Sequence, residues 1–414
     1  MRSLFKHRGL RLIFIANFVS MIGSGMNTAA VTWFILQATH SEMSLSALVV
    51  LQTVPALLML PFTGVIIDRE DRRRLILLLD ALRCAVIFTV AVLAIRNQVQ
   101  LWQLYAMGIL VSAGFWMFWP TITALVHELS PESEFVGANT MLLAGVQGGW
   151  MIAGALVGFM YERIHLGGVL ALDAATYVVS MTCYFAVRKG KVTVKPRELP
   201  SHVGEDAVSR FMHELREGLR YLRGQRAVVL LGITWAFFLA SMMTQGVTTA
   251  PLSDRILHAG ARGYGWLNGG WAIGALTSTL YAQLFIRKFH GWRSVVYAMT
   301  MLALSLTVAP FAGSVALAVM CYVVMGTGRG LAGVAISSAM MEMVPKHFMG
   351  RVQNTFFFIG TWLQLVASIA VGAIAEHISL ALAFSVIGLM YGIAAITAYC
   401  TSFAKRSAME TFHG

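Results

Sequence analysis

The sequence predicts an all-α membrane protein of twelve transmembrane helices arranged as two six-helix bundles. Three observations predict it: the composition, twelve separable apolar runs, and a loop signature that recurs in the second half. Of the 414 residues, 57% are hydrophobic and 12% charged, against about 45–50% and about 25% in a soluble domain. A span needs about 20 apolar residues, and backbone polar groups in lipid must be satisfied within the segment. Every apolar run is therefore read as a helix.

The runs are taken in order, with the residues that mark each. Segment 12–36 follows a basic start, Met1 to Arg11. It is too long for the apolar region of a secretory signal and lacks an A-x-A-like site, so it is expected to be retained. Segment 45–67 ends in the charged run Asp68–Arg74, 75–95 carries Asp80 and Arg83, and 101–126 holds Phe115, Trp116, Phe118 and Trp119. Segment 138–160 has Gly145-x-x-x-Gly149 and Gly154-x-x-x-Gly158, spacings that allow close helix packing, and 168–187 opens on Asp173. In the second half, 228–250 contains Trp235, Phe238 and Gln245, and 263–286 contains Gly270, Trp271 and Gly274. Segment 293–311 follows the interfacial Trp292, and 315–343 carries Arg329 between Gly328 and Gly330. Segment 352–374 holds Phe357, Trp362 and Gln364, and 380–402 completes the set.

Charge gives the orientation. Of 31 Lys and Arg residues, 25 fall on the side of the termini, four on the other (Arg96, Arg163, Arg255, Arg262) and two inside segments (Arg83, Arg329). The positive-inside rule then puts both termini in the cytoplasm. It also accounts for the net charge of +12 without a nucleic-acid partner. Residues 188–227, with ten basic side chains, divide the chain into an N-terminal bundle, 1–187, a cytoplasmic linker, and a C-terminal bundle, 228–414. Phe211, Leu215, Leu219 and Leu222 recur at helical spacing beside Arg216, Arg220 and Arg223. This is an amphipathic helix that lies on the anionic leaflet or packs on the protein. The halves share a signature: Glu128-Leu129-Ser130-Pro131 with Gly137 and Asn139-Thr140, against Glu342-Met343-Val344-Pro345 with Gly350 and Asn354-Thr355. Its recurrence at the same point of both halves is what a parallel repeat requires.

Several chemistries are set aside. Cys84, Cys183, Cys321 and Cys400 lie far apart in apolar runs, so neither disulfides nor a zinc site is expected. The histidines, His127, His258, His347 and His377 among them, show no H-x-x-x-H spacing, and no metal or other cofactor is expected. Gly328-Arg329-Gly330-Leu331-Ala332-Gly333 fits G-x-G-x-x-G but follows no strand, and no G-x-x-x-x-G-K-[ST] phosphate cradle occurs.

The loop Gly64-Val65-Ile66-Ile67-Asp68-Arg69-Glu70-Asp71-Arg72-Arg73-Arg74 combines a small residue, an acid and a basic cluster in a tight turn. Such contacts are suited to latching one conformation. Here the chain resembles the major facilitator superfamily, whose loop reads G-x-x-x-D-R-x-G-R-R/K: Gly64, Asp68, Arg69, Arg72 and Arg73 match, while Asp71 replaces the usual Gly. Asp80-x-x-Arg83, Asp173, Glu217-Gly218-Leu219-Arg220-Tyr221-Leu222, and Val344-Pro345 with Gly350-Arg351-Val352 are similar to the branch of macrolide-efflux and enterobactin-exporter proteins. The resemblance implies a secondary transporter of the bacterial inner membrane, not an enzyme, working by alternating access. It implies export of amphipathic organic compounds, with protons as coupling ion. Other readings are a dedicated exporter of a siderophore or lysolipid, and a non-transporting sensor or scaffold.

Charges inside spans are functional candidates by default. Asp80, Arg83 and Asp173 are coupling candidates, set against an ion pair for the first two and a helix-start contact for the third. Asn27, Trp116, Trp119, Gln147, Trp150, Gln245, Arg329, Trp362 and Gln364 are candidates for a substrate cavity, each aromatic also serving as packing. The expected partners are a small-molecule substrate, protons and the lipid bilayer, with a monomer as the working unit.

Overall fold

The computed structural model describes residues 7–130, 134–187, 207–289, 292–345 and 348–413. Among them every regular element is helical: α1 (Arg8–Thr39), α2 (Glu42–Arg69), α3 (Arg72–Ile95), α4 (Leu101–Leu129), α5 (Phe135–Ala186), α6 (Ala207–Leu222), α7 (Arg226–Thr244), α8 (Gly246–Pro251), a π turn (Leu252–Ile256), α9 (Gly260–Phe289), α10 (Trp292–Val308), a 3-10 turn (Ala309–Phe311), α11 (Val315–Met343), α12 (Met349–His377) and α13 (Leu380–His413). Ten helical stretches among the described residues are long and apolar enough to cross a membrane. Glycine-rich α9, with Asn268 and Gln283 in its length, is not among the ten.

The boundaries depart from the apolar runs where short connections replace loops. The fifth and sixth segments form one 52-residue helix broken only at His165, whose φ is 50° and ψ −172°. The seventh run continues past its expected end, α7 passing through Gln245 into α8 and the π turn. α3 begins on a side-chain cap, Asp71 accepting from the Arg74 amide at 3.1 Å. Asp71, where the family loop has Gly, thus satisfies one of the free first-turn N–H groups.

Two compact units divide the chain: Met1–Ile35 with Leu51–Arg210, and Leu36–Val50 with Phe211–Gly414. In the first, α3 packs on α4 and α5, and a core of Ile13, Ala16, Ile76, Phe118, Ile122 and Tyr184 closes the seam. In the second, α9 packs on α11, α13 on α7 and α10, and α12 on α7. The second unit differs from the expected 228–414 bundle in two places. It takes in the tip of the α1–α2 hairpin, because side chains at 37–46 bond to the π turn and α12. It also takes in most of α6. Tyr221 stacks on Phe348 at 4.5 Å, Phe211 meets Phe358 edge-on at 6.0 Å, and Glu217 pairs with Arg351 at 3.2 Å. The inner face of the amphipathic helix is therefore packed on protein, while Met212 and Leu219 stay exposed beside Arg216 and Arg220.

Candidate functional site

The first unit holds a polar seam between α1 and the part of α5 beyond His165. Along α1 the residues Asn17, Ser20, Ser24 and Asn27 fall at spacings of three and four, which places them on one helical face. Along α5, Asp173, Tyr177, Ser180 and Tyr184 do the same. The two faces pair antiparallel: Asn17 Nδ2 donates to Tyr184 Oη at 2.9 Å, Ser24 and Tyr177 share a hydrogen bond of 2.9 Å, and Asn27 Nδ2 donates to Asp173 Oδ2 at 2.7 Å. Gly23 permits the approach, since a Cβ there would stand 2.2 Å from Thr176 Oγ1 and 2.4 Å from Asp173 Oδ1.

Asp173 is 0% exposed. Its carboxylate accepts from Asn27 and, at 3.4 Å, from Thr176. Both direct partners are neutral, and among the described residues no backbone amide caps it, so the expected helix-start contact is replaced by side-chain contacts two turns inside the helix. A buried carboxyl is stabilised only by its hydrogen bonds or by a counter-charge. Here hydrogen bonds alone are in contact.

Asp80 and Arg83, one turn apart on α3, form an ion pair against this seam. Arg83 Nη2 reaches Asp80 Oδ1, and Ser180 Oγ donates to Asp80 Oδ2 at 2.8 Å. The guanidinium lies 4.6 Å from the Phe118 ring centre and 4.8 Å from that of Tyr177, distances at which a desolvated cation is attracted to the ring face. This geometry makes the pair a brace of α3, α4 and α5.

In the helix 2–3 loop, the side chains of Gly64, Asp68 and Arg69 lie outside the described residues. Arg72 Nη1 reaches Glu128 Oε2 and the Ala124 carbonyl on α4, each at 3.3 Å. Arg73 donates to the carbonyls of Tyr184, at 2.8 Å, and Phe185. It so places a cation at the C-terminal end of α5, where the helix dipole favours one.

The cavity candidates fall in both units. In the first unit Asn27 belongs to the Asp173 seam, Trp119 packs against the core, Trp116 meets Phe115 at 6.0 Å, Gln147 is exposed, and Trp150 lies against Gly25. In the second, Gln245 sits at the α7–α8 junction, Trp362 is 51% exposed, and Gln364 is buried. Arg329 is partly buried, its guanidinium 4.6 Å from the Trp271 ring centre. Among the described residues no carboxylate pairs with it.

Sequence reasoning missed Tyr177, Ser180 and Tyr184 as partners. The signal was present: Asn17 and Ser24 are seven residues apart, as are Tyr177 and Tyr184, and that shared spacing sets two antiparallel helices in register.

Membrane-length helices with charges and a polar seam buried inside them define a membrane transport protein. The Major Facilitator Superfamily model matches residues 13–368, and the chain belongs to that superfamily. It is a transporter, not an enzyme. It is 21% identical to macrolide efflux protein A of Streptococcus pyogenes over 85% of this chain and 84% of that one. With the multidrug efflux pump Tap of Mycolicibacterium fortuitum it shares 22% identity over 94% and 96%. The solved nucleoside transporter NupG superposes with a TM-score of 0.73 at 12% identity, over 95% of this chain and 98% of that one, a likeness of fold.

Proposed function

We propose that the protein exports amphipathic organic compounds by alternating access in exchange for protons. Its twelve spans form two six-helix bundles in a bacterial inner membrane, with both termini in the cytoplasm and the monomer as the working unit. The break at His165 supports counting α5 as two spans, and the positive-inside count supports the orientation. The efflux proteins among its relatives support the direction of transport.

The observation that carries the coupling is Asp173, a fully buried carboxyl whose contacts are neutral side chains. Such a group changes protonation without breaking an ion pair, while Asp80 is committed to Arg83. The residues that face substrate include Arg329, whose cation lies over Trp271 with no acid paired to it among the described residues. Gly64, Asp68 and Arg69 complete the cytoplasmic latch that Arg72 and Arg73 anchor.

The test is reconstitution into vesicles with an imposed pH gradient, screening macrolides, lipophilic cations, siderophores and lysolipids for substrate-driven proton movement. Proton flux lost in Asp173→Asn and kept in an Asp80→Asn/Arg83→Met double variant supports the reading. Substrate movement without protons ends it. A dedicated exporter of one anionic compound is favoured by Arg329 alone; transport confined to a single anionic class and lost in Arg329→Met establishes that alternative.

A further inference from the structure

The tip of the α1–α2 hairpin is built around a carboxyl that has no role in the seam just described. Glu42 opens α2 and is 0% exposed. Around it, within the second unit, Glu376, Asp254 and Arg255 each have hydrogen-bond partners. Glu376 on α12 receives the Ser41 hydroxyl and, at 2.8 Å, the Met43 amide. Asp254 in the π turn receives Gln37 Nε2 at 3.0 Å. Arg255, 39% exposed, donates to the His40 carbonyl and sets Nη1 2.8 Å from Glu42 Oε1. That contact is not aligned as a hydrogen bond, and neither Glu42 oxygen receives one from another of the described residues. Its own backbone amide is the other donor that faces it. The tip is nonetheless tightly seated: Ser46 Oγ donates to the Ser368 carbonyl at 2.6 Å, and a Cβ on Gly372 would stand 2.0 Å from that hydroxyl.

The seated tip therefore gathers three carboxyls, Glu42, Asp254 and Glu376, around one guanidinium, with His377 beside Glu376. Two of the carboxyls are supplied with donors as ions are. The third is cut off from water and is not. Burying an ionised carboxyl short of donors is far more unfavourable than burying a neutral one, and two further carboxylates nearby add repulsion.

We propose that Glu42 takes up a proton as the tip seats on α12 and the π turn, so that this side of the transporter closes on a neutral carboxyl. The inference rests on the antiport reading for its purpose. On the positive-inside orientation the tip lies on the external side, where protons enter. A carrier that cannot close externally without a proton cannot return empty, and that prohibition is what holds an exchange to fixed stoichiometry. Arg255 then serves Asp254, Glu376 and the His40 carbonyl, and the tip's packing supplies the rest of the closure.

The test uses the full chain with its four cysteines replaced and spin labels at Ala38→Cys and Ile378→Cys, both exposed positions, read as a distance distribution across pH in lipid nanodiscs. The expected result is a closed population that grows as pH falls, its ratio to the open one changing by at most about tenfold per pH unit, the limit for one linked proton. Glu42→Gln is expected to hold the tip closed at every pH, Glu42→Asp to keep a displaced pH response, and Arg255→Gln to keep the response. The inference is overturned if the wild-type distances do not respond to pH, if the closed population grows as pH rises, or if Glu42→Gln and Arg255→Gln both open the tip. That last pattern belongs to a permanent Glu42–Arg255 ion pair. Proton-independent export in vesicles would remove the antiport reading separately, because the distance measurement uses no substrate.

Discussion

Removing Arg83 isolates what the buried ion pair does. Arg83→Met leaves the Asp80 carboxylate, 0% exposed, with the Ser180 hydroxyl at 2.8 Å as its remaining hydrogen bond. Breaking a buried pair from one side costs about 3–5 kcal/mol. The guanidinium's contacts with Phe118 and Tyr177 add about 0.5–2 kcal/mol each, partly replaced by the methionine's own packing. Asp80→Asn incurs a similar loss, since it strands the guanidinium between two rings. The Asp80→Asn/Arg83→Met double variant has neither orphan, and its loss is expected to be at least about 3 kcal/mol smaller than the sum of the singles. If the first unit melts by itself, each single variant lowers its midpoint by on the order of 10 °C, with the double variant between the singles and wild type. The assay is thermal unfolding in detergent, followed by a thiol-reactive dye that reports the partly buried Cys84 and Cys183 as they open. Additive losses would refute the bracing role. So would a double variant that melts like wild type yet transports nothing, for then the charges act in the transport cycle.

Four further outcomes follow from the geometry. Gly23→Leu forces α1 off α5 at the point where even a Cβ would stand 2.4 Å from Asp173 Oδ1; a loss of about 1–3 kcal/mol or more is expected in the same melt, with proton movement abolished at temperatures where the protein stays folded. Asn27→Leu keeps that packing but leaves Asp173 with the 3.4 Å contact to Thr176, and the pH profile of transport is expected to shift while the maximal rate falls less than in Asp173→Asn. Gly274→Val places side-chain atoms where a Cβ already meets the Val323 carbonyl at 1.9 Å; the α9–α11 contact does not form, and little folded protein accumulates in the membrane fraction. Tyr221→Ala with Arg351→Ala removes the stack and the ion pair that hold α6, and limited proteolysis is expected to cut near Arg220 and Arg223 many times faster than in wild type.

The spans were legible because lipid imposes one rule on every apolar run. What hydropathy does not encode is how a run ends. His165 alone separates two expected segments, whereas the seventh run passes through Gln245 and continues beyond its apolar end to Ile256. The charged candidates were legible as expensive residues, but their partners were not. Asp80 and Arg83 announce each other at three-residue spacing, whereas Asn27 and Asp173 are joined only by the antiparallel setting of distant helices. For the aromatic candidates, composition does not tell which way each side chain faces. Trp119 packs against the core of the first unit and Trp362 is 51% exposed, because burial depends on which way a helix is turned. In the sequence Arg255 is one of four basic residues on the external side, and Glu42 falls between two apolar runs with nothing to single it out. Only the folded tip brings them together.

The seam between α1 and α5 also restricts how these helices can move. Its rungs at Asn17–Tyr184, Ser24–Tyr177 and Asn27–Asp173 act as teeth in a rack with unequal pitch. Advancing α1 by one turn, about 5.4 Å, breaks all three rungs together and drives the chain off the close approach of Gly23 to Thr176 and Asp173. A sliding helix would therefore have to exchange every buried bond of the seam at once. α1 is keyed to α5, and whatever rearrangement moves substrate must carry the pair as a single strut that pivots at its ends.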